Sequence, residues 1–336
     1  MSFIKPSNAL EQCKRLLNKA RNTFKGKHHL YTGETLNWFQ VILRLERTVI
    51  PVIFPWVLFC SGYGFFISLI HYFDTDIVFP ERNGVITNAI LSFNVGLTLL
   101  LVFRTNTAHD RFWEARKLWG RLVNTVRNLA QGIYIVIKDS SPQEKVEKEA
   151  ILKLLVAFPI AMKLHLRAEP VDKQLASLIS KNQYFHLKTV RHSPLQIAFW
   201  LRDYLQHQYE RNCVNIYQLT ALHALLDELI DILGGCERIL KTPLPLIYSI
   251  KFRLLVLIYC LILPLELVKN LTWWTGLIMA FVSFTLLSIE QIGSEIEEPF
   301  GYDANDLPLD VICNTMLQNV EELIAVAPSS SCSWRV

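Results

Sequence analysis

The chain has 336 residues, of which 51% are hydrophobic and only 19% carry a charged side chain. This balance is unusual for a soluble protein and typical of one that spans a membrane. The net charge of +4 is small for this length, so we expect no nucleic-acid partner. Residues 1–47 are polar and basic and too long for the charged region of a cleavable leader, so they are predicted to form a cytoplasmic N-terminal segment.

Two apolar stretches follow and predict a first transmembrane hairpin over residues 48–105. No Lys, Arg, Asp or Glu occurs from Thr48 to Phe73, and a hydrocarbon core about 30 Å thick needs roughly 20 helical residues. A second uncharged stretch, Asn83–Phe103, meets the same length requirement. It also carries polar residues that should not face lipid: Asn88, Ser92, Asn94 and Thr98.

The middle of the chain, residues 106–243, has helical rather than alternating periodicity and predicts a cytoplasmic helical domain. One helix start inside it is marked by Ser141, Pro142 and Glu144. These residues supply the N-cap, the first-turn proline and the N3 acid of a capping box.

A second transmembrane hairpin is predicted over residues 244–290. Asn270–Ile289 is uncharged and has Trp273 and Trp274 near one end, where indole rings favour the membrane interface. The shorter uncharged stretch before it can span the membrane if its helix begins near Pro245.

The remaining residues, 291–336, are predicted to form a cytoplasmic C-terminal segment. Basic residues lie beside the spans on one side of the membrane, whereas the first loop is acidic, with Asp74, Asp76 and Glu81. Because positive charge stays on the cytoplasmic side, both termini and the middle domain are predicted to be cytoplasmic. The expected fold class is all-α: a four-span helical membrane protein with a cytoplasmic helical domain.

One apolar stripe stands out on the second span. Val95, Leu99 and Phe103 recur every four residues and therefore share one face of that helix. A spanning helix with a polar stripe either packs against polar partners or lines a wet cavity. Periodicity leaves two interpretations of the apolar residues, packed core or pore lining.

No catalytic motif accompanies these spans. The sequence has no nucleophile elbow, no phosphate loop and no His-Glu-x-x-His helix, and its nine histidines are scattered. Arg104 and Arg111 are expected to form salt bridges with Glu114 or Asp110 on the same helix. We therefore predict that the protein is not an enzyme.

Three stretches of the sequence resemble the bestrophin family in its bacterial and plant branches, and the resemblance covers nearly the whole chain. The longest stretch reads FRTNTAHDRFWEARKLWG and directly follows the second span. The stretches are Phe103–Gly120, Leu233–Arg238 with Thr242–Pro245 downstream, and Glu298–Gly301 running to Asn305–Leu309.

The resemblance implies a homopentameric channel in a lipid bilayer, with the second span of each subunit facing a central pore. The hydrophobic neck of the family falls on Val95, Leu99 and Phe103, where rings of apolar residues can gate by dewetting. A second, cytoplasmic constriction falls near Tyr217, where other members carry a small aliphatic residue.

Animal members of the family hold calcium in a segment that here contains Glu295, Glu298, Asp303 and Asp306. Asp303 and Asp306 match the side-chain ligands, but Ala304 and Asn305 interrupt the acidic run. The expectation is that no cofactor is required, with calcium or another divalent ion as the alternative. If the segment binds no ion, its acidic residues are expected to form a solvated helix end or to contact a neighbouring subunit.

The resemblance implies passive conduction of chloride or other monovalent anions. A sodium-selective, monovalent-cation channel is the alternative, because some bacterial members with a similar C-terminal motif are cation-selective and the neck is uncharged. A scaffold without conduction and an alternating-access transporter remain further alternatives, although no inverted repeat supports the latter. The expected location is the cell (inner) membrane, with a thylakoid or other internal membrane as the alternative.

Overall fold

The computed structural model describes residues 28–29, 35–36, 49–73, 85–138, 141–243, 245–303 and 305–326. The predicted N-terminal segment lies outside the described residues apart from two short antiparallel strands, and the acidic first loop and residues 327–336 lie outside them as well. The rest of the described chain is helical, which confirms the all-α expectation. In chain order the elements are β1 (His28–His29), β2 (Thr35–Leu36), α1 (Ile50–Phe73), α2 (Val85–Val136), α3 (Pro142–Leu166), α4 (Lys173–Leu178), α5 (Lys181–Thr189), α6 (Ser193–Glu210), α7 (Ile216–Lys241), α8 (Leu246–Leu271), a 3-10 turn (Thr272–Trp274), α9 (Thr275–Ile296) and α10 (Leu309–Val326).

Four helices form an apolar bundle, which we define as α1, the first half of α2, α8 and α9. Its buried core takes residues from all four, among them Cys60, Leu97, Val256 and Met279. Within the bundle, α9 packs against α1 more extensively than against any other helix. The apolar side chains on the remaining faces are exposed in the subunit, as expected where lipid or another subunit covers them.

Small residues bring α1 and α9 close together. A Cβ atom on Gly276 would lie 2.5 Å from the ring of Phe65, so no larger residue fits there without displacing that ring. The Ser61 hydroxyl donates to the Gly276 carbonyl at 3.0 Å, and the Ser68 hydroxyl donates to the Thr272 carbonyl at 2.8 Å. Close backbone approach and interhelical hydrogen bonds of this kind stabilise helix pairs where no water competes.

Among the residues that the structure describes, three stretches are long and apolar enough to cross a membrane: Ile50–Phe73, Asn88–Val136 and Ile250–Ile296. The third contains α8, the 3-10 turn and α9. Thr272 in that turn has a φ of 43°, which ends α8, and α8 and α9 contact each other along the bundle. The stretch is therefore a helical hairpin rather than one long helix.

The boundaries of this hairpin match the sequence prediction at one end only. Pro245 precedes the first residue of α8, as expected. The uncharged stretch Asn270–Ile289, however, does not form a single helix, because its first residues complete α8 and the turn. The last span starts later than predicted, at Thr275.

The second half of α2 belongs to another set of helices, which we call the polar-side bundle: that half of α2 with α3, α6, α7 and α10. α2 has 52 residues and at 1.5 Å per residue extends about 78 Å, far beyond a hydrocarbon core. It packs against α7, while α3 packs against α6 and α10. The predicted start of α3 is confirmed, since the Glu144 amide donates to the Ser141 hydroxyl at 3.3 Å and Pro142 is the first helical residue.

Candidate ion pathway and the ionic groups beside it

The predicted neck residues lie on the face of α2 that points away from the rest of the subunit. Val95, Leu99 and Phe103 are 71%, 54% and 60% exposed, whereas Leu97 and Leu101 are 2% and 7% exposed in the core of the apolar bundle. Residues two apart on a helix differ by about 200° in direction, so the two sets occupy opposite faces. The three neck residues therefore do not belong to the packed core of their own subunit.

Polar residues continue this exposed face at both ends. Asn88 and Ser92 precede the apolar residues, and Asn106 and Asp110 follow them at helical spacing, and all four are exposed. A face oriented entirely toward hydrocarbon would not carry such a series. The face is apolar in its middle and polar on either side, the pattern of a water-filled path with a narrow dry section.

Directly behind the neck lies a buried ion cluster that the sequence did not predict. Glu290 of α9 accepts through one oxygen, Oε1, from Arg104 at 3.1 Å and from Arg253 at 2.9 Å. The side chains of Arg104 and Glu290 are only 8% and 6% exposed, and the Arg104 guanidinium also lies 5.3 Å from the ring centre of Phe252. Two arginines against one glutamate give the cluster a formal charge of +1.

The expected partners of the two arginines on α2 were wrong. Arg104 pairs with Glu290 rather than with Asp110 or Glu114. Arg111 donates to the Ile239 carbonyl at 2.8 Å, to the Glu297 carbonyl at 3.3 Å and to the Thr242 carbonyl. These carbonyls lie at the C-terminal ends of α7 and α9, where backbone acceptors lack helical partners.

Glu114 has a different partner, since its carboxylate accepts from Arg238 of α7 at 2.5 Å. Tertiary contacts between helices have thus replaced the same-helix pairs that sequence spacing favoured. Together with Arg111, this ion pair ties the part of α2 that follows the neck to the end of α7.

Tyr217 lies far from the neck within the subunit. It is in the first turn of α7, next to a capping box formed by Asn215 and Gln218, and is 85% exposed. Leu222, one turn further on, packs at Gly132 of α2. Along α2 this level is about 40 Å from Phe103. The structure does not bring Tyr217 together with the three neck residues.

Hydrogen bonds involve some of the four predicted calcium ligands, which lie at the end of α9 and just after it. Asp306 is buried, and its Oδ2 accepts from the Asp303 amide at 2.7 Å. Glu295 accepts from the Asn305 side chain at 2.8 Å. Burial raises the pKa of Asp306 to about 6, and the nearby carboxylates, including Glu298, act in the same direction, whereas the backbone hydrogen bond lowers it.

These four acids do not form a compact ligand set. Within the described residues, three metal-ligating atoms lie within 4.8 Å of one another at one place, His165, His192 and Glu237, and none of the four acids contributes to it. The predicted calcium ligands are thus near in sequence without converging in the subunit.

Arg167 at the end of α3 anchors the segment that begins at Glu298. It donates to the carbonyls of Phe300 and Gly301, both at 3.0 Å, and to Asp310 at 3.1 Å. Its guanidinium also lies 4.0 Å from the ring centre of Tyr302. The ring of Tyr302 therefore covers an arginine. No sequence pattern indicated a role for Arg167, because its partners lie more than 130 residues further along the chain.

Fold and site together define a helical membrane protein with one spanning helix whose exposed face is apolar between two polar sections. The model of the family described as Bacterial/Fungal Bestrophin protein matches residues 31–322. The chain belongs to the bestrophin family, as the resemblance indicated.

Relatives and solved structures agree with this assignment. The voltage-dependent anion channel-forming protein alr2987 of Nostoc sp. is 49% identical over 293 residues, which cover 87% of this chain and 94% of that protein. The voltage-dependent anion channel-forming protein sll1024 of Synechocystis sp. is 45% identical over 291 residues, covering 87% and 93%. A crystal structure of a mutated bacterial bestrophin homologue from Klebsiella pneumoniae has a TM-score of 0.74 at 26% identity, covering 81% of this chain and 99% of that one. Membership of this family indicates a channel rather than an enzyme.

Proposed function

We propose that this protein is a passive channel that conducts chloride or other monovalent anions. The observation that carries the proposal is the exposed face of α2, apolar at Val95, Leu99 and Phe103 and polar on both sides. The relatives that are 45–49% identical are named as voltage-dependent anion channel-forming proteins, which supports anions.

We infer that each subunit crosses the membrane four times, through α1, the first half of α2, α8 and α9. Contacts between different helices define two levels across the apolar bundle, and both levels support this arrangement. At one level the ring centres of Tyr72 and Trp273 lie 5.9 Å apart, and at the other level Arg104, Arg253 and Glu290 meet. The polar-side bundle then continues from the second level. Because basic residues gather on that side, we infer that it faces the cytoplasm.

We propose the following division of the chain. Residues 48–105 and 244–290 form the two hairpins, residues 106–243 form the cytoplasmic helical domain, and residues 1–47 and 291–336 are cytoplasmic flanks. The cell (inner) membrane is the expected location, with a thylakoid or other internal membrane as the alternative.

A single subunit cannot enclose a path, since the proposed pore face of α2 is open on its own subunit. We infer a homopentamer in which five copies of this face surround one axis, as the family resemblance implies. Native mass spectrometry of the detergent-purified protein should give a pentamer. Any other stoichiometry would contradict a central pore formed by five subunits.

The neck residues carry no charge, so selectivity has to come from charges near the pathway. The cluster of Arg104, Arg253 and Glu290 places a net positive charge per subunit beside the cytoplasmic end of the neck. Such a field concentrates anions and repels cations. Because the exposed Asp110 on the same face carries the opposite charge, the preference for an anion channel over the sodium-selective alternative rests on the relatives that are named as anion channel-forming proteins.

Reversal potentials measured in planar bilayers under an asymmetric KCl gradient test this proposal. We expect reversal near the chloride equilibrium potential, and a smaller anion current when gluconate replaces chloride. Reversal near the potassium potential would establish the cation alternative. A purified protein that gives no flux in liposomes would establish the non-conducting scaffold instead.

Two further parts of the proposal concern gating. Tyr217 would form a second, cytoplasmic constriction more than about 40 Å from the neck along α2. Glu295, Glu298, Asp303 and Asp306 would regulate opening only if calcium brought them together, and we propose that conduction needs no cofactor. Currents recorded with calcium and with a chelator should therefore be equal.

A further inference from the structure

Three potential metal ligands from three different helices meet on the polar-side bundle. Nε2 of His165 lies 2.9 Å from Oε1 of Glu237, and Nε2 of His192 lies 2.6 Å from the same oxygen. The two imidazole rings are 4.2 Å apart between their centres. His165 is in the last turn of α3, His192 precedes α6, and Glu237 is in the last turn of α7. The residues lie 27 to 72 positions apart in the chain, so no local motif shows them.

We propose that His165, His192 and Glu237 form a binding site for a transition metal ion of the zinc class. Two imidazole nitrogens and one carboxylate oxygen are a recurrent ligand set for tetrahedral zinc, with water as the fourth ligand. The three ligating atoms already lie within 4.8 Å of one another, so small rotations of the side chains can place them around one ion. Calcium and magnesium prefer sites made of oxygen ligands, so this set disfavours them.

Hydrogen bonding orients the carboxylate of Glu237 for metal binding. Lys241 occupies the other oxygen, Oε2, at 2.9 Å and leaves Oε1 to the two imidazoles. The carboxylate is thus oriented to offer one oxygen to an ion.

The site is reachable from solvent and has room for a water ligand. A cavity of about 520 Å³ adjoins it, and its lining includes His165, Ala168, Lys188, Arg191 and Ser193. The three ligand side chains are each partly exposed, between 17% and 31%. An ion can therefore enter without unfolding the bundle, and its fourth ligand would lie on the cavity side.

A metal ion at this point would join α3, α6 and α7 at one place. The end of α7 is also where Arg111 of α2 binds the Ile239 carbonyl, eight residues after the neck. Bound metal would therefore stabilise the polar-side bundle near its junction with the pore helix. This role is separate from conduction and does not depend on which ion the pore passes.

The test uses the full-length protein in detergent, freed of metal with a chelator and titrated with Zn²⁺ by isothermal titration calorimetry. We expect roughly one tightly bound ion per subunit, and binding weakened by more than about tenfold in His165→Gln and His192→Gln. His207→Gln is the matched control, because His207 lies on α6, is exposed, is not one of the three proposed ligands and has its ring nitrogen 3.9 Å from Glu210. It should bind Zn²⁺ as the unmodified protein does.

Co²⁺ substitution provides a second readout that needs no variant. We expect the visible absorption of tetrahedral Co²⁺ without a thiolate charge-transfer band, since no cysteine belongs to the site. Thermal unfolding should also shift upward with Zn²⁺ in the unmodified protein and not in the two His variants. Absence of Zn²⁺ binding, equal binding by all variants, or a thiolate band would each overturn the proposal.

Discussion

Shortening Leu99 to alanine tests whether the exposed stripe of α2 forms the narrow section of a pore. A buried methylene is worth about 0.8 kcal/mol, and 54% of Leu99 is exposed on the proposed pore face. Losing three carbons should therefore make hydration of this position easier by about 1.3 kcal/mol per subunit. This free energy corresponds to a nearly tenfold change in the equilibrium constant for hydrating the position in each subunit. Five copies would lower the free-energy cost of hydrating the ring by up to about 6 kcal/mol.

The matched control is Leu97→Ala, two residues earlier on the opposite face of the same helix. Leu97 is 2% exposed in the core of the apolar bundle, so its truncation leaves a cavity that costs about 2–5 kcal/mol per subunit. Leu99→Ala leaves no such cavity in its own subunit. The two variants remove the same atoms from opposite sides of α2.

Single-channel recording and thermal unfolding of the detergent-solubilised assembly are measured for both variants. Leu99→Ala should raise open probability or conductance by at least about tenfold, with little change in melting temperature or reversal potential. Leu97→Ala should lower the melting temperature without increasing current. If both variants lose stability alike and neither gains current, the stripe is a packing surface between subunits and the dewetting argument fails.

Three further perturbations have defined outcomes. Glu290→Gln leaves the buried Arg104 without a counter-charge and should cost about 3–5 kcal/mol of stability in thermal unfolding, whereas truncating the exposed Arg253 should cost below about 1 kcal/mol. Asp303→Ala combined with Asp306→Ala should change stability or gating while the reversal potential stays constant, and a shifted reversal potential would contradict the prediction that these two acids do not set selectivity. Because the pKa of Asp306 is raised from 3.8 to about 6, the folded protein holds a proton there that the unfolded chain has lost, so stability should fall as pH rises from about 4 to 6. Asp306→Asn should flatten that dependence in melting curves taken across this range, and a variant that keeps the full fall in melting temperature would show that another group causes it.

Features that depend on local sequence were predicted well. The uncharged run from Thr48 to Phe73 corresponds closely to α1, because the length of a span follows directly from the thickness of the bilayer. The start of α3 followed from Ser141, whose side chain satisfies a backbone amide only a few residues away. Helical periodicity also placed Val95, Leu99 and Phe103 on one face, which the structure shows to be exposed.

Features that depend on helix packing were missed. Spacing along one helix suggested Asp110 or Glu114 as the partner of Arg104, but Glu290 lies 186 residues away and reaches it through the contact between α2 and α9. Sequence neighbours compete poorly with a buried partner, since a charge in an apolar environment needs compensation at close range. The cluster around Glu237 was missed for the same reason, because its histidines come from two other helices.

The pairing of α1 with α9 has a consequence for how the protein is made. Ser61 and Gly276, which are hydrogen-bonded across this pair, are 215 residues apart. At a synthesis rate of about 5–20 residues per second, α1 waits about 10–40 s on the ribosome before its principal partner is complete. During that time its Gly64–Phe65 surface has no helix to pack against, and the intervening helical domain has already emerged. A nascent chain that ends before α9 therefore leaves α1 without its principal packing partner.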